Sequence, residues 1–166
     1  HGHTDTLINL SPYKFQGKGG LGKKDYVHIA DMPDGLRGKW RYSDKDWIKK
    51  YILQVKILID EMYENNKKLS CFFVESILGC GGQVVLPPKY LNEVFKIIRK
   101  RKALCIVDEV QTGFGRVGNH FWGFEEHGVV PDIVTLGKPM GNGHPIAAVV
   151  TTKKIARKFN NGMEYF

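Results

Sequence analysis

Two short apolar runs, each followed by a charged residue, restrict the fold of this chain more than any other feature. The run 104–107 (LCIV) is followed by Asp108, and the run 133–136 (IVTL) is followed by Gly137 and Lys138. Runs of this length and composition are typical of strands buried in a parallel sheet. Ligands of such sheets bind beyond the carboxyl ends of the strands, so Asp108 and Lys138 are predicted to lie at a binding site.

One carboxylate and one lysine at the same crevice are the pair that pyridoxal phosphate chemistry requires. A lysine amine binds the cofactor aldehyde. A carboxylate keeps the ring nitrogen protonated, so that the ring accepts electrons from a bond broken in the substrate. Two other interpretations stay open on spacing alone, because an aspartate after a strand commonly caps a helix and a lysine there is commonly solvated.

A longer motif surrounds these two residues. Asp108 begins the string 108–116 (DEVQTGFGR), which is followed by 131–132 (PD) and 137–139 (GKP). Together these strings strongly resemble class III pyridoxal-phosphate aminotransferases. The resemblance extends over essentially the whole chain, and it is closest to the branch with ethanolamine-phosphate phospho-lyase, 5-phosphohydroxylysine phospho-lyase and alanine–glyoxylate aminotransferase type-two-like proteins. The strings that resemble this branch are 11–15 (SPYKF), 118–122 (GNHFW), 138–145 (KPMGNGHP) and 162–166 (GMEYF).

The resemblance implies roles for four residues. Lys138 would carry pyridoxal 5′-phosphate covalently, Asp108 would pair with its pyridine nitrogen, and Gln111 would hydrogen-bond its phenolic oxygen. Glu75 matches a family glutamate near the cofactor ring. The family loop that holds the cofactor phosphate is expected outside this chain. So is the ring-stacking aromatic, since His1 follows that position.

The same resemblance implies an α/β fold. The chain is expected to be part of the large domain of a fold-type I pyridoxal-phosphate enzyme, with a mostly parallel sheet and flanking helices. Residues 1–42 are expected to form an irregular excursion of this domain and residues 43–166 its central α/β part, with the small domain absent. The first residue is not Met and no signal-peptide pattern follows it, so we expect an interior piece of a longer protein.

The sequence departs from the family at a loop that bears on the reaction. Where ω-amino-acid aminotransferases commonly have Glu-Pro and a further glutamate before Gly-Gly, this chain has Glu75-Ser76 and Cys80. We therefore predict a phospho-lyase that acts on a phosphorylated amine or amino acid, of the phosphoethanolamine or 5-phosphohydroxylysine type, and releases phosphate, ammonia and an aldehyde. The alternatives are an aminotransferase of the alanine–glyoxylate type and a non-catalytic fragment. The isolated chain is expected to be inactive.

Charge and composition bear on partners. The net charge of +8 raises nucleic acid as a partner, but the basic runs 96–102 and 153–158 fit solvent faces of amphipathic helices. We expect a small phosphorylated amine substrate and a homodimer or homotetramer, with no nucleic-acid or membrane partner. No metal is expected either, since His1 and His3 lack further clustered ligands. The expected location is the mitochondrial matrix or the cytoplasm. Of three cysteines, Cys71 and Cys105 are predicted in the core and Cys80 in an exposed loop.

Local patterns predict the remaining elements. A capping box at 43–46 predicts a helix over about 44–65, and residues 71–75 are predicted to form a buried strand. Pro88 is predicted to start a helix, and residues 146–150 are predicted to form a strand. Thr152 is predicted to cap a helix that begins near Lys153. The buried face of the helix after Pro88 is predicted to be Leu91, Val94, Phe95 and Ile98.

Overall fold

The computed structural model describes residues 4–160 and residue 162, so His1, His3 and most of the string 162–166 lie outside the described residues. The helices are α1 (Asp5–Leu10), α2 (Pro12–Phe15), α3 (Trp47–Glu64), α4 (Tyr90–Lys100) and α5 (Lys153–Phe159). The strands are β1 (Cys71–Glu75), β2 (Ile77–Leu78), β3 (Val84–Val85), β4 (Leu104–Asp108), β5 (Ile133–Leu136) and β6 (Ala148–Thr151). Short 3-10 turns span Gly123–His127 and Lys138–Gly141.

The sheet is mixed and mainly parallel. Its strand order is β1-β4-β5-β6, with β1, β4 and β5 parallel and β6 antiparallel to β5. The two short strands β2 and β3 pair separately as an antiparallel ribbon. The predicted α/β architecture with a mostly parallel sheet is confirmed, and β4 lies between two parallel neighbours, as its apolar sequence predicts.

Helices α3 and α4 form the hydrophobic core with the sheet. The predicted face of α4 is confirmed, because Leu91, Val94, Phe95 and Ile98 are all buried. Helix α3 buries Tyr51, Val55, Ile59 and Met62 at intervals of three or four residues, which is the period of a helix with one apolar face. Burying one such side chain contributes about 1.5–3 kcal/mol, so this interface is a main source of stability.

The predicted start of α3 is wrong by three residues. The helix begins at Trp47, after Asp46, whose backbone is left-handed (φ 56°) and whose side chain makes no cap hydrogen bond. The carboxylate of Asp44 accepts a hydrogen bond from the Arg41 backbone N–H at 2.6 Å, so it stabilises the turn before the helix.

The predicted start of α4 at Pro88 is also wrong. Lys89, in a left-handed conformation (φ 64°), precedes the helix, which begins at Tyr90. The Tyr90 N–H donates to the Pro87 carbonyl at 3.1 Å and closes a turn in place of a first helical turn. The predicted cap of α5 is confirmed, because the Thr152 hydroxyl accepts a hydrogen bond from the Ile155 N–H at 3.3 Å.

Strand β1 is an edge strand of this sheet. It was predicted to be buried, but it is only partly buried. Phe73 is 48% exposed, and Cys71 is exposed, so its predicted core position is wrong. The reason is topological, since β1 pairs with β4 and no other described strand. Cys105, on the central strand, is buried, and Cys80 is exposed, as predicted.

The first part of the chain is less regular. Residues 4–42 contain the short helices α1 and α2 joined to turns, and Phe15 is the side chain of α2 that is buried. The division of the chain at residue 42 stays a prediction. Within residues 4–160, no helix combines the length and the apolar character needed to cross a bilayer.

Candidate active site

Two carboxylates and a hydroxyl form a row across the carboxyl ends of three parallel strands. Glu75 pairs in register with Asp108, and Asp108 pairs in register with Thr135. Residues paired in register project from the same face of a sheet. Glu75, Asp108 and Thr135 therefore share one face, at the edge where open α/β sheets bind ligands.

Asp108 is buried at the end of β4. The residue is 6% exposed, and one oxygen of its carboxylate accepts a hydrogen bond from the Val110 N–H at 2.9 Å. Residues 109–122 form turns and no α-helix, so Asp108 does not cap a helix. Burying a carboxylate is costly unless it is paired or hydrogen-bonded, which makes this position a candidate for function.

Glu75 is electrostatically coupled to both predicted charged residues. Burial raises the pKa of the Glu75 carboxyl above its ordinary value, and the nearby Asp108 carboxylate raises it further. The Gly79 N–H, which donates to Glu75 Oε2 at 2.9 Å, and the Lys138 ammonium act in the opposite direction on this pKa. The structure therefore brings Glu75, Asp108 and Lys138 into one electrostatic neighbourhood.

Lys138 has an unusual backbone conformation. It begins the Lys138–Gly141 turn two residues after β5, with φ 36° in the left-handed region. A non-glycine residue in that region costs of the order of 1–3 kcal/mol, and such strain clusters at functional sites. The strained backbone therefore makes Lys138 a candidate functional residue.

Gln111 and Lys138 line the same cleft, whose volume is about 300 Å³. Among the residues that the structure describes, neither Asp108 nor Glu75 is part of the lining, which agrees with the burial of Asp108. The cleft therefore contains the amine of Lys138, the amide of Gln111 and the guanidinium of Arg116 beside an apolar surface, and it lies beyond the ends of β4 and β5. Its lining residues are Val110, Gln111, Arg116, Lys138, Pro139, Asn142 and Gly143.

Gly79 connects Glu75 to Gln111. Its N–H binds the Glu75 carboxylate, and a Cβ built on it would lie 2.8 Å from Gln111 Nε2. A side chain at this position would therefore require the loop or the Gln111 amide to shift, and glycine permits the loop after β2 to pass against this amide. The loop is also held at Gly82, whose carbonyl accepts a hydrogen bond from Arg37 at 3.3 Å.

Sequence reasoning missed two polar residues at this site. Thr135 lies inside an apolar run, and its Oγ1 is buried with no hydrogen-bond partner among the described residues. Glu109 is fully buried and accepts hydrogen bonds from Ser76, Thr112, Gly123 and Phe124. The sequence did contain a signal for Glu109, which is the second of two acidic residues after a buried apolar run. A charge at such a position needs partners from elsewhere in the fold.

The comparison with protein families identifies the chain. The family model described as aminotransferase class-III matches residues 1–164, so the chain belongs to the class III aminotransferase family. Members of this family are pyridoxal-phosphate-dependent enzymes. The predicted family and cofactor are therefore confirmed.

Three curated relatives align with nearly the whole chain. An alanine–glyoxylate aminotransferase 2-like protein of Drosophila melanogaster is 44% identical over 100% of this chain and 34% of its own length. An ethanolamine-phosphate phospho-lyase homolog of Caenorhabditis elegans is 40% identical over 100% of this chain and 38% of its own length. The human mitochondrial alanine–glyoxylate aminotransferase 2 is 40% identical over 99% and 34%. The chain thus spans about a third of the length of these relatives.

A solved structure shares the fold. A phospholyase from Arthrobacter, in complex with phosphoethanolamine, superposes with a TM-score of 0.80 at 31% identity, over 96% of this chain and 37% of its own. The predicted architecture, that of a fold-type I pyridoxal-phosphate enzyme, is confirmed.

The described residues fit pyridoxal phosphate. The cleft offers the Lys138 amine and the Gln111 amide, with Val110 as an apolar surface for a flat ring. Asp108 places a carboxylate at the neighbouring strand end. The buried hydroxyl of Thr135, on the same face as Asp108, lacks a described partner, which is typical of a site whose polar groups are completed by a ligand or by further protein.

Proposed function

We propose that this chain is the central part of a longer pyridoxal-phosphate-dependent phospho-lyase that acts on a small phosphorylated amine or amino acid. The observation that carries the proposal is the convergence of Lys138 and Gln111 on one cleft, with Asp108 at the adjoining strand end. The phospho-lyase names of two relatives support the reaction, and the phosphoethanolamine complex of one of them supports the substrate class.

The residues have separate roles in this proposal. Lys138 holds the cofactor through its amine and later moves the proton at the substrate α carbon. Asp108 would pair with the protonated pyridine nitrogen, and Gln111 would donate a hydrogen bond to the phenolic oxygen. Bound pyridoxal phosphate supplies the electron sink for the bond broken at the α carbon.

Glu75 adjusts the charge beside Asp108. With its pKa raised by burial and by the Asp108 carboxylate, Glu75 retains its proton to higher pH than an exposed glutamate. The raised pKa limits the negative charge that Glu75 adds beside Asp108. The Asp108 carboxylate would then be the partner of the ring nitrogen, and an adjacent carboxylate favours the protonated nitrogen.

Arg116 supports a phosphorylated substrate. Its side chain is exposed in the same cleft as Lys138, and among the described residues no carboxylate forms an ion pair with it. A guanidinium binds phosphate through paired hydrogen bonds. In the lyase reaction Lys138 would take the α proton, and the electron pair left on the α carbon would form a double bond to the adjacent carbon as its C–O bond to the phosphate held by Arg116 breaks. Hydrolysis of the eliminated product by water would then release ammonia and the aldehyde.

The test uses the complete enzyme and phosphoethanolamine without a keto acid. We expect release of phosphate, ammonia and an aldehyde, and loss of that release in Lys138→Ala. Reduction with borohydride followed by mass analysis should place the cofactor on the peptide with Lys138. A strict requirement for pyruvate or glyoxylate, with no phosphate released, would replace the lyase by an aminotransferase.

An aminotransferase of the alanine–glyoxylate type is the second candidate, and the names of two relatives favour it. In that reaction Lys138 would act as the acid that donates a proton after the α proton has been removed, and no phosphate would be expelled. We further propose that the complete enzyme is a homodimer or homotetramer. A mitochondrial location is supported by the name of the human relative, with the cytoplasm as the alternative.

A further inference from the structure

Glu109 is a buried carboxylate for which the reaction has no direct use. It is 0% exposed and directly follows Asp108. One of its oxygens accepts hydrogen bonds from the Ser76 hydroxyl and from the Phe124 N–H, the latter at 2.9 Å. The other oxygen accepts from the Thr112 hydroxyl at 3.0 Å and from the Gly123 N–H at 2.8 Å.

Four donors compensate this charge without a cation. Among the described residues, no lysine, arginine or histidine forms an ion pair with Glu109. A buried carboxylate is tolerated when its lone pairs are filled by hydrogen bonds, and those to a charged acceptor are about twice as strong as neutral ones. Removal of the carboxylate would leave two peptide N–H groups and two hydroxyls without their acceptor in a buried space.

The donors come from three separate parts of the chain. Ser76 follows β1, Thr112 lies in the turn after β4, and Gly123 with Phe124 begins the Gly123–His127 turn. A Cβ on Gly123 would lie 2.8 Å from the Ser76 Cβ and 3.0 Å from the Thr112 Cβ, so these segments meet as closely as their backbones allow. We call Ser76, Glu109, Thr112, Gly123 and Phe124 the Glu109 cluster.

Each proposed site residue on these segments immediately precedes a member of the Glu109 cluster. Glu75 precedes Ser76, Asp108 precedes Glu109, and Gln111 precedes Thr112. The peptide of Glu109 is anchored as well, because its N–H donates to the Thr135 carbonyl at 2.9 Å and its carbonyl accepts from the Gly113 N–H at 3.0 Å. Positions of three side chains at the cleft and strand ends therefore depend on one carboxylate.

We propose that Glu109 is a positioning residue of the cofactor site: its carboxylate binds Ser76, Thr112, Gly123 and Phe124 and thereby sets the positions of Glu75, Asp108 and Gln111. The inference rests on the proposed pyridoxal-phosphate site, and it does not depend on which reaction that site performs. Glu109 itself is fully buried and is not among the residues that line the cleft, so we assign it no direct contact with substrate or cofactor.

Glu109→Gln in the complete enzyme is the direct test. The amide matches the carboxylate in size, but its NH₂ group must face the N–H of either Gly123 or Phe124, and a peptide N–H cannot become an acceptor. We expect the dissociation constant for pyridoxal phosphate to rise about tenfold or more, which corresponds to loss of one charge-assisted hydrogen bond. We also expect the pH midpoint of the bound cofactor's visible absorbance to shift, because that midpoint depends on the placement of Asp108 and Gln111.

Matched variants separate positioning from folding. Thr112→Val removes one hydroxyl at nearly constant volume, whereas Thr112→Ser retains it. We expect weaker cofactor binding and a shifted absorbance midpoint in Thr112→Val, and behaviour close to wild type in Thr112→Ser. These two variants decide the question even where Glu109→Gln fails to fold. Glu64→Gln, an exposed substitution at the end of α3, controls for loss of one negative charge.

The outcomes distinguish this inference from the proposed function. Variants that melt at a lower temperature, yet bind cofactor with the wild-type dissociation constant and absorbance midpoint, would show a purely structural Glu109 and overturn the inference. A wild-type enzyme that binds no pyridoxal phosphate would overturn both. A wild-type enzyme that binds cofactor and releases no phosphate would overturn the lyase proposal alone, and the role of Glu109 would stand on its own measurements.

Discussion

At the scale of single residues, three neighbouring carboxylates have different surroundings, and we propose different roles for them on that basis. Asp108 is buried at the strand end beside the cleft. The Glu109 carboxylate accepts hydrogen bonds from four donors, and Glu75 is partly buried next to a like charge. Residue type alone distinguishes none of these situations. The hydrogen-bond donors and charges around each carboxylate decide which one can serve a ligand.

Glu75 makes the stability of the protein depend on pH. Because burial and the Asp108 carboxylate raise the pKa of Glu75 in the folded state, the folded state binds its proton more tightly than the unfolded state does. Folding is then favoured below the pKa of the unfolded chain. That contribution is lost as the pH rises through the higher pKa of the folded protein.

Glu75→Gln cannot lose a proton, so its free energy of unfolding lacks this pH dependence. We therefore expect the variant to become more stable relative to wild type as the pH rises above about 4.5, the unperturbed pKa of glutamate. Urea denaturation of the complete protein at several pH values measures it. Glu64→Gln, at an exposed site, should show no such trend. A difference that is independent of pH would contradict the raised pKa.

At the scale of elements, the loop after β2 controls the position of the Gln111 amide. Gly79→Ala places a Cβ 2.8 Å from Gln111 Nε2, so either the loop or the amide must move. We expect weaker pyridoxal phosphate binding by several-fold with little change in melting temperature, measured by titration of the apoenzyme. Gln83→Ala, an exposed substitution in the same loop, should bind the cofactor like wild type. Equal affinities for both variants would show that Gln111 tolerates the displacement.

Helix α4 contributes stability through the face that its sequence predicts. Leu91 is fully buried in the core formed with α3 and the sheet. Leu91→Ala should therefore lower the free energy of unfolding by about 2–5 kcal/mol, the usual cost of a cavity of this size. Lys96→Ala, on the exposed side of the same helix, should change it by less than about 0.5 kcal/mol. Chemical denaturation checks both, and equal costs would place Leu91 outside the core.

At the scale of the whole molecule, both edges of the sheet carry exposed apolar side chains. Phe73 projects from β1, and Val149 and Val150 from β6, with more than a third of each side chain exposed. Unpaired strand edges with apolar residues readily associate with other protein. In the complete enzyme, we expect these edges to be covered by segments that correspond to the parts of the longer relatives that this chain does not span.

The isolated 166-residue chain is therefore expected to self-associate and to be inactive. Analytical ultracentrifugation should show concentration-dependent oligomers, and borohydride reduction with pyridoxal phosphate should leave Lys138 unmodified. A bovine serum albumin control reports non-specific labelling of surface lysines. A monomeric chain with cofactor trapped selectively on Lys138 would contradict both expectations.

Much of the fold and the candidate site followed from short-range patterns. The apolar runs before Asp108 and Lys138 predicted two strands of the sheet, and the three-to-four-residue period predicted the buried face of α4. The long motif around Asp108 predicted the family. These features depend on neighbouring residues, since side-chain periodicity and turn chemistry are local properties of the backbone.

Long-range packing decided the rest. Cys71 is exposed because β1 pairs on one side with β4 and with no other described strand, which its own sequence does not encode. Glu109 acquired its role from Ser76 and Gly123, which lie 33 and 14 positions away. The sequence by itself determined which residues we propose to carry the chemistry. Only the tertiary structure decided that the Glu109 carboxylate accepts four hydrogen bonds and that Asp108 lies beside the cleft, because these arrangements depend on groups that meet only when the chain has folded.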